Sequence, residues 1–221
     1  MKKQRILATT IVILSLALTA FAQTTSDYIT LRDKIRGGDL TVDFVKFRHS
    51  YMDWLKDPCN KNTEAPDREK MVEAFDNKKW AEAAERGSKV LDYEYGNRGL
   101  HNAVAEAYEK SGDTKKSEFH KTVAKKIFEA LLKSGDGESP KTAYRVMSIR
   151  EEYVIMSELG YKVSMQALVS DKEYGMFDVL TGKNEEGKTA EKYFNIDFFF
   201  GFGMLDKPCE KDKPAEKPKE G

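Results

Sequence analysis

The stretch Ser134-Gly135-Asp136-Gly137 separates two parts of the chain that differ in periodicity. Before it, apolar residues recur at three- and four-residue intervals, the repeat of one helix face. After it the repeat falls towards two, the spacing of one face of a strand. This change predicts an α+β protein in which N-terminal antiparallel helical hairpins pack on a small, mostly antiparallel C-terminal β-sheet. The expected layout is a leader over residues 1–22, a helical region over 23–135, a sheet region with one helix over 136–205 and a charged, disordered tail over 206–221.

Towards the N-terminus, Tyr28, Leu31 and Ile35 mark a short helix that stops at Gly37-Gly38. Asp43 is the expected N-cap of a second helix, which carries Phe44, Phe47, Tyr51, Trp54 and Leu55 on one stripe. Two hairpins follow. The first has Met71, Val72 and Phe75, a break at Asp76-Asn77, then Ala83, Ala84, Val90 and Leu91. The second has Leu100, Val104 and Tyr108, a Ser111-Gly112-Asp113 turn, then Phe119, Val123, Ile127 and Leu131. A shift of 33 residues pairs Met71 with Val104, Phe75 with Tyr108, Ala84 with Ser117 and Val90 with Val123. This period resembles that of tetratricopeptide repeats, at about 34 residues, although the usual Trp, Leu-Gly and Pro positions are largely unfilled. That resemblance implies protein or peptide binding.

Towards the C-terminus, Ala143–Ile149 is expected to be a short strand, although Ser139-Pro140 is also a good helix start, and Glu151–Leu159 a helix closed by Gly160. Tyr161, Val163, Met165, Ala167 and Val169 alternate as a strand, and a second strand is expected over Tyr174–Leu180. Phe194, Ile196, Phe198, Phe200, Phe202 and Met204 alternate so strictly that one continuous strand with a single apolar face is expected, covered by the helices. On this reading Tyr193, Asn195 and Asp197 point away from the helices, and Asp178 joins them while Phe177 and Val179 point inward.

The first residues set the compartment. Met1-Lys2-Lys3-Gln4-Arg5, the apolar run from Ile6 to Leu18 and the Ala20-Phe21-Ala22 pattern read as a secretory signal cleaved after Ala22. The protein is therefore expected to be exported, periplasmic or secreted, with no membrane span after cleavage. Lys plus Arg and Asp plus Glu each total 37, so losing Lys2, Lys3 and Arg5 leaves a net charge of −3. Such a balance offers no field for nucleic acid. Cys59 and Cys209 are the only cysteines. In an oxidising compartment they are expected to form a disulfide.

In chain order, Ser134-Gly135-Asp136-Gly137, Glu151-Glu152-Tyr153, Leu159-Gly160, Gln166-Ala167-Leu168, Phe177-Asp178-Val179 and Tyr193-Phe194-Asn195-Ile196 resemble an exported bacterial family known only as a domain of unknown function. The resemblance covers most of the chain beyond the leader. It implies the exported address and brings no activity, cofactor or partner with it.

Signatures of chemistry are sparse. Gln166, Asp178, Asn195 and Asp197 are the candidate ligand-binding residues, an amide and carboxylate set on one sheet face. The alternative is an ordinary solvated face. His101 and His120 lie on the two helices of one hairpin, where they either make a metal pair with Glu106 or simply hydrogen-bond neighbouring helices. Glu151 and Glu152 are adjacent, so they leave a helix in different directions and suit a helix N-terminus better than paired acid–base work. No nucleophile elbow or phosphate loop is present. These residues fit a non-catalytic protein- or ligand-binding accessory protein of the envelope that needs no cofactor and has an envelope or secreted partner. The rival reading is a hydrolase or metal-dependent enzyme using the sheet face or the histidine pair.

Overall fold

The computed structural model describes residues 27–60 and 66–200. The leader, Cys209, Phe202, Met204 and the charged tail lie outside these residues. Among the described residues, eight α-helices, mostly N-terminal, and a four-stranded mixed sheet give the α+β class expected from the period change.

The helical layer forms where apolar spacing and local capping agree. Helix α1 covers residues 27–36 and α2 covers Phe44–Trp54, with the Asp43 carboxylate accepting from the amides of Val45 and Lys46. Helices α3 (Pro66–Asp76) and α4 (Trp80–Val90) make the first hairpin, and α5 (Arg98–Lys110) and α6 (Thr114–Leu132) the second. Gly112, at φ +92°, takes the left-handed turn conformation that lets Asp113 cap α6. Helices α4 and α5 cross closely because residue 87 is glycine: a Cβ there would lie 2.6 Å from Val104 Cγ2. Aromatic rings of Tyr28, Phe47, Tyr51 and Trp54 fill the space between α1 and α2.

Beyond the dividing turn come β1 (Tyr144–Arg145), α7 (Ile149–Glu158), β2 (Lys162–Asp171), β3 (Gly175–Lys183), β4 (Thr189–Asn195) and the single turn α8 (Asp197–Phe200). The sheet order is β1-β4-β3-β2, with β1 parallel to β4 and the other pairs antiparallel. Leu131 of α6 and Ile155 and Met156 of α7 share a core with Tyr144, Leu180, Phe194 and Ile196 of the sheet region.

Four local expectations are corrected. The strand expected over Ala143–Ile149 shrinks to two residues, because Ser148 starts α7 and Ile149 is already helical. In β2 the alternation from Val163 to Met165 is broken by a bulge. Val163 opposes Gly182 and Met165 opposes Thr181, so these two apolar residues face opposite sides. The last strand ends at Asn195 instead of running on. Asp197 turns the chain by accepting from the Met176 amide at 2.9 Å and from Asn195 Nδ2 at 3.0 Å, so Phe198 and Phe200 belong to α8. Lastly, Asp178 does not face away from the helices. It lies directly opposite Phe194, so it shares the α7-facing side, while Phe177 opposes Asn195 on the other side.

Candidate functional site

The first turn of α7 carries two carboxylates with different destinations. Glu151 reaches back to α2, where Arg48 Nη1 and Nη2 donate to its two oxygens at 3.0 and 2.8 Å. Arg48 is 1% exposed, and its Nη2 also donates to the carbonyl of Arg145 on β1. The Met147 amide donates to Glu151 as well. One buried ion pair thus fastens the helical layer to the sheet region.

Glu152 points the other way, into the sheet, and is fully buried beside Asp178, which is 5% exposed. Burial first, then the charge and hydrogen bond of Asp178, then the charge of Glu151, raise the Glu152 pKa to about 8. Neither Glu152 oxygen finds an N–H or O–H donor. Both observations fit a protonated Glu152 whose hydroxyl faces Asp178. Asp178 also accepts from Gln166 Nε2 at 2.8 Å, and Tyr153 Oη donates to Gln166 Oε1 at 3.2 Å. A hydrogen-bonded chain therefore runs from the exposed Tyr153 through Gln166 to Asp178, and the buried Glu152 carboxyl lies beside its inner end.

Of the four candidate ligand-binding residues, the structure joins Gln166 to Asp178 and Asn195 to Asp197, and keeps the pairs apart. Asn195 donates to the Tyr174 carbonyl at 3.2 Å and to Asp197, which holds the turn into α8. Glu152 is the residue that sequence reasoning missed. Its signal was helical spacing: it precedes Ile155 and Met156 by three and four residues, which puts it on the apolar stripe of α7.

Residues 22–200 match the protein family described as a domain of unknown function, DUF4919. The chain belongs to the DUF4919 family. No curated protein and no solved structure matches it. The polar chain of this DUF4919 protein and the carboxyl beside its inner end come from three of the segments that carried the resemblance: Glu152 and Tyr153, Gln166, and Asp178.

A second buried polar pair joins the α5–α6 hairpin. His101 Nδ1 and His120 Nδ1 are 2.9 Å apart, and His101 Nε2 lies 2.9 Å from the Tyr95 carbonyl. Burial, followed by the His120 ring, lowers the His101 pKa to about 3; burial, followed by Lys116, lowers that of His120 to about 4. Both rings are therefore neutral near pH 7. His101 Nε2–H must donate to the Tyr95 carbonyl, which leaves His101 Nδ1 to accept from His120 Nδ1–H. The pair uses three of its four ring nitrogens, and Glu106 is exposed on the surface of α5. Among the described residues no three His, Cys, Asp or Glu groups converge as a metal site would require.

Because both folded-state values are depressed, the stability these histidines contribute is present above the ordinary pKa of 6.5. It is lost as pH falls through about 4 and 3. His120→Gln keeps a donor for His101 and removes one titrating ring. Thermal melts from pH 6.5 down to 4 should show the variant losing stability more slowly than the parent, by up to about 1.4 kcal/mol per pH unit.

An open groove lies beside the polar chain. About 800 Å³ in volume, it runs between the C-terminal half of α7 and the ends of β2 and β3, and Tyr153, Tyr161, Lys162, Lys183, Asn184 and Glu185 are among its walls.

Proposed function

We propose that this DUF4919 protein is an exported, non-catalytic binding protein of the bacterial envelope, periplasmic or secreted, with a ligand or partner seated in the groove beside α7. The observation that carries the reading is the contrast between two neighbouring sites. The carboxyl pair that could act as acid and base is sealed from solvent, whereas the groove next to it is open. Export is supported by the basic, apolar and Ala-x-Ala pattern of the leader, and the family match starts at residue 22, where that leader is expected to end. An exported address also favours pairing of Cys59 with Cys209. The tetratricopeptide-like spacing of the two hairpins offers a second surface for a protein partner.

A photo-crosslinking side chain at Ser164, in the groove, should capture the same envelope component reproducibly, whereas one at the exposed Lys172, in the turn at the far end of β2 and β3, should not. Equal yields at the two positions would remove the groove from the reading. The hydrolase alternative draws on the raised pKa of Glu152 and requires that the carboxyl pair open to solvent. It predicts a turnover abolished by Glu152→Gln in a protein that remains folded.

A further inference from the structure

The β2–β3 ladder places Lys162 directly opposite Lys183, on the sheet face away from α7, and both residues line the groove, which so continues around the edge of β2. Like charges in that position repel and destabilise the strand pair. Among the described residues neither ammonium has an ion-pair or hydrogen-bond partner. Among the described residues that line the groove Glu185 is the one carboxylate, so the two lysines leave these walls with an excess of positive charge.

The remaining walls are neutral and able to bond hydroxyl groups. Asn184 Oδ1 is occupied by the Lys188 amide at 2.8 Å, which fixes the side chain and leaves its Nδ2 donors without a partner among the described residues. Ser164 Oγ donates to the Thr181 carbonyl at 3.2 Å and retains its lone pairs as acceptors. The ring of Tyr153, 44% exposed with its hydroxyl held by Gln166, presents a fixed aromatic face.

We infer that the groove takes an acidic saccharide, with its anionic group between Lys162 and Lys183, its hydroxyls on Asn184 and Ser164, and its C–H face on Tyr153. This deepens the binding reading above and rests on it. The lysine pair supplies the selection: an anion between two opposed ammonium groups relieves their repulsion, and a neutral sugar does not.

Isothermal titration of residues 23–221 with four probes tests the inference: a glucuronate-containing disaccharide, its sulfated counterpart, lactose and sodium sulfate. One or both acidic disaccharides should bind at least tenfold more tightly than lactose and sulfate, and the preferred one names the source of the charge. Lys162→Ala and Lys183→Ala should each weaken that binding about tenfold, the loss expected of a charge-assisted contact, while Lys110→Ala on α5 leaves it unchanged. Glu185→Gln should tighten it. Lactose or sulfate binding as tightly as the acidic sugars, or affinity indifferent to both lysines, would overturn the assignment. If no acidic sugar binds while the Ser164 probe still captures its component, the ligand class is wrong and the groove reading survives. If both experiments fail, both readings fall.

Discussion

Arg48→Ala should cost about 3–5 kcal/mol of stability, the range observed when one partner of a buried ion pair is removed. In a protein of this size that lowers the melting temperature by roughly 10 °C. The cause is specific to what Arg48 holds. Its guanidinium binds both oxygens of Glu151 and the Arg145 carbonyl, so truncation leaves a largely buried carboxylate with no counter-ion, held only by the Met147 amide, and removes the side-chain donor to the Arg145 carbonyl. Arg48→Lys should recover only part of the loss, because an ammonium cannot match the two-oxygen fork. Replacing Arg48 and Glu151 together with Met should cost less than Arg48→Ala alone, since no unpaired charge then remains. Chemical denaturation of the three variants checks the order, and a double replacement no better than the single one would show that the ion pair is not the origin of the loss.

Glu152→Gln should remove a pH dependence that the parent protein shows near neutrality. The folded-state pKa of about 8 lies above the ordinary carboxyl value of 4.5, so folding favours the protonated form. Below pH 4.5 both folded and unfolded chains carry the proton, and the effect is absent. Between 4.5 and 8 unfolding releases a proton, so stability falls as pH rises, by up to about 1.4 kcal/mol per unit, and levels off above 8. Glutamine has nearly the same shape, can donate to Asp178 and does not titrate. The variant should equal the parent near pH 5 and exceed it by a few kcal/mol near pH 8. Denaturation at a series of pH values reads this directly, and parallel curves for the two proteins would exclude a protonated Glu152 in the folded state. Glu152→Ala, by contrast, leaves Asp178 beside a void and should be destabilised throughout.

The helices were legible because their determinants are local. The Asp43 cap, the Ser111-Gly112-Asp113 turn and the apolar spacing of both hairpins act within a few residues, and the structure places helices at each. The sheet was less legible for a physical reason. Strict alternation from Phe194 to Met204 describes a strand equally well before and after residue 196. What ends β4 is the Asp197 carboxylate on the Met176 amide, a contact 21 residues away in sequence. The error about Asp178 has the same source, since its face depends on register with Phe194 and a one-residue difference reverses it. At the candidate site, Gln166 and Asp178 were visible as polar residues in strands. Glu152 was concealed by Glu151, because adjacency speaks against a paired role unless each residue's partner is known.

The position of β1 also orders the assembly of the molecule in time. Tyr144 and Arg145 are synthesised before the rest of the sheet, yet their strand partners are Phe194 and Asn195, the last residues of β4. During synthesis the helical hairpins can close as they emerge, whereas β1 must wait for β4. The sheet is therefore completed at its first strand by its last. A chain that has emerged from the ribosome only through β3 should have compact helices and an unpaired β1, and emergence of residues 184–195 should convert it to the protease-resistant form.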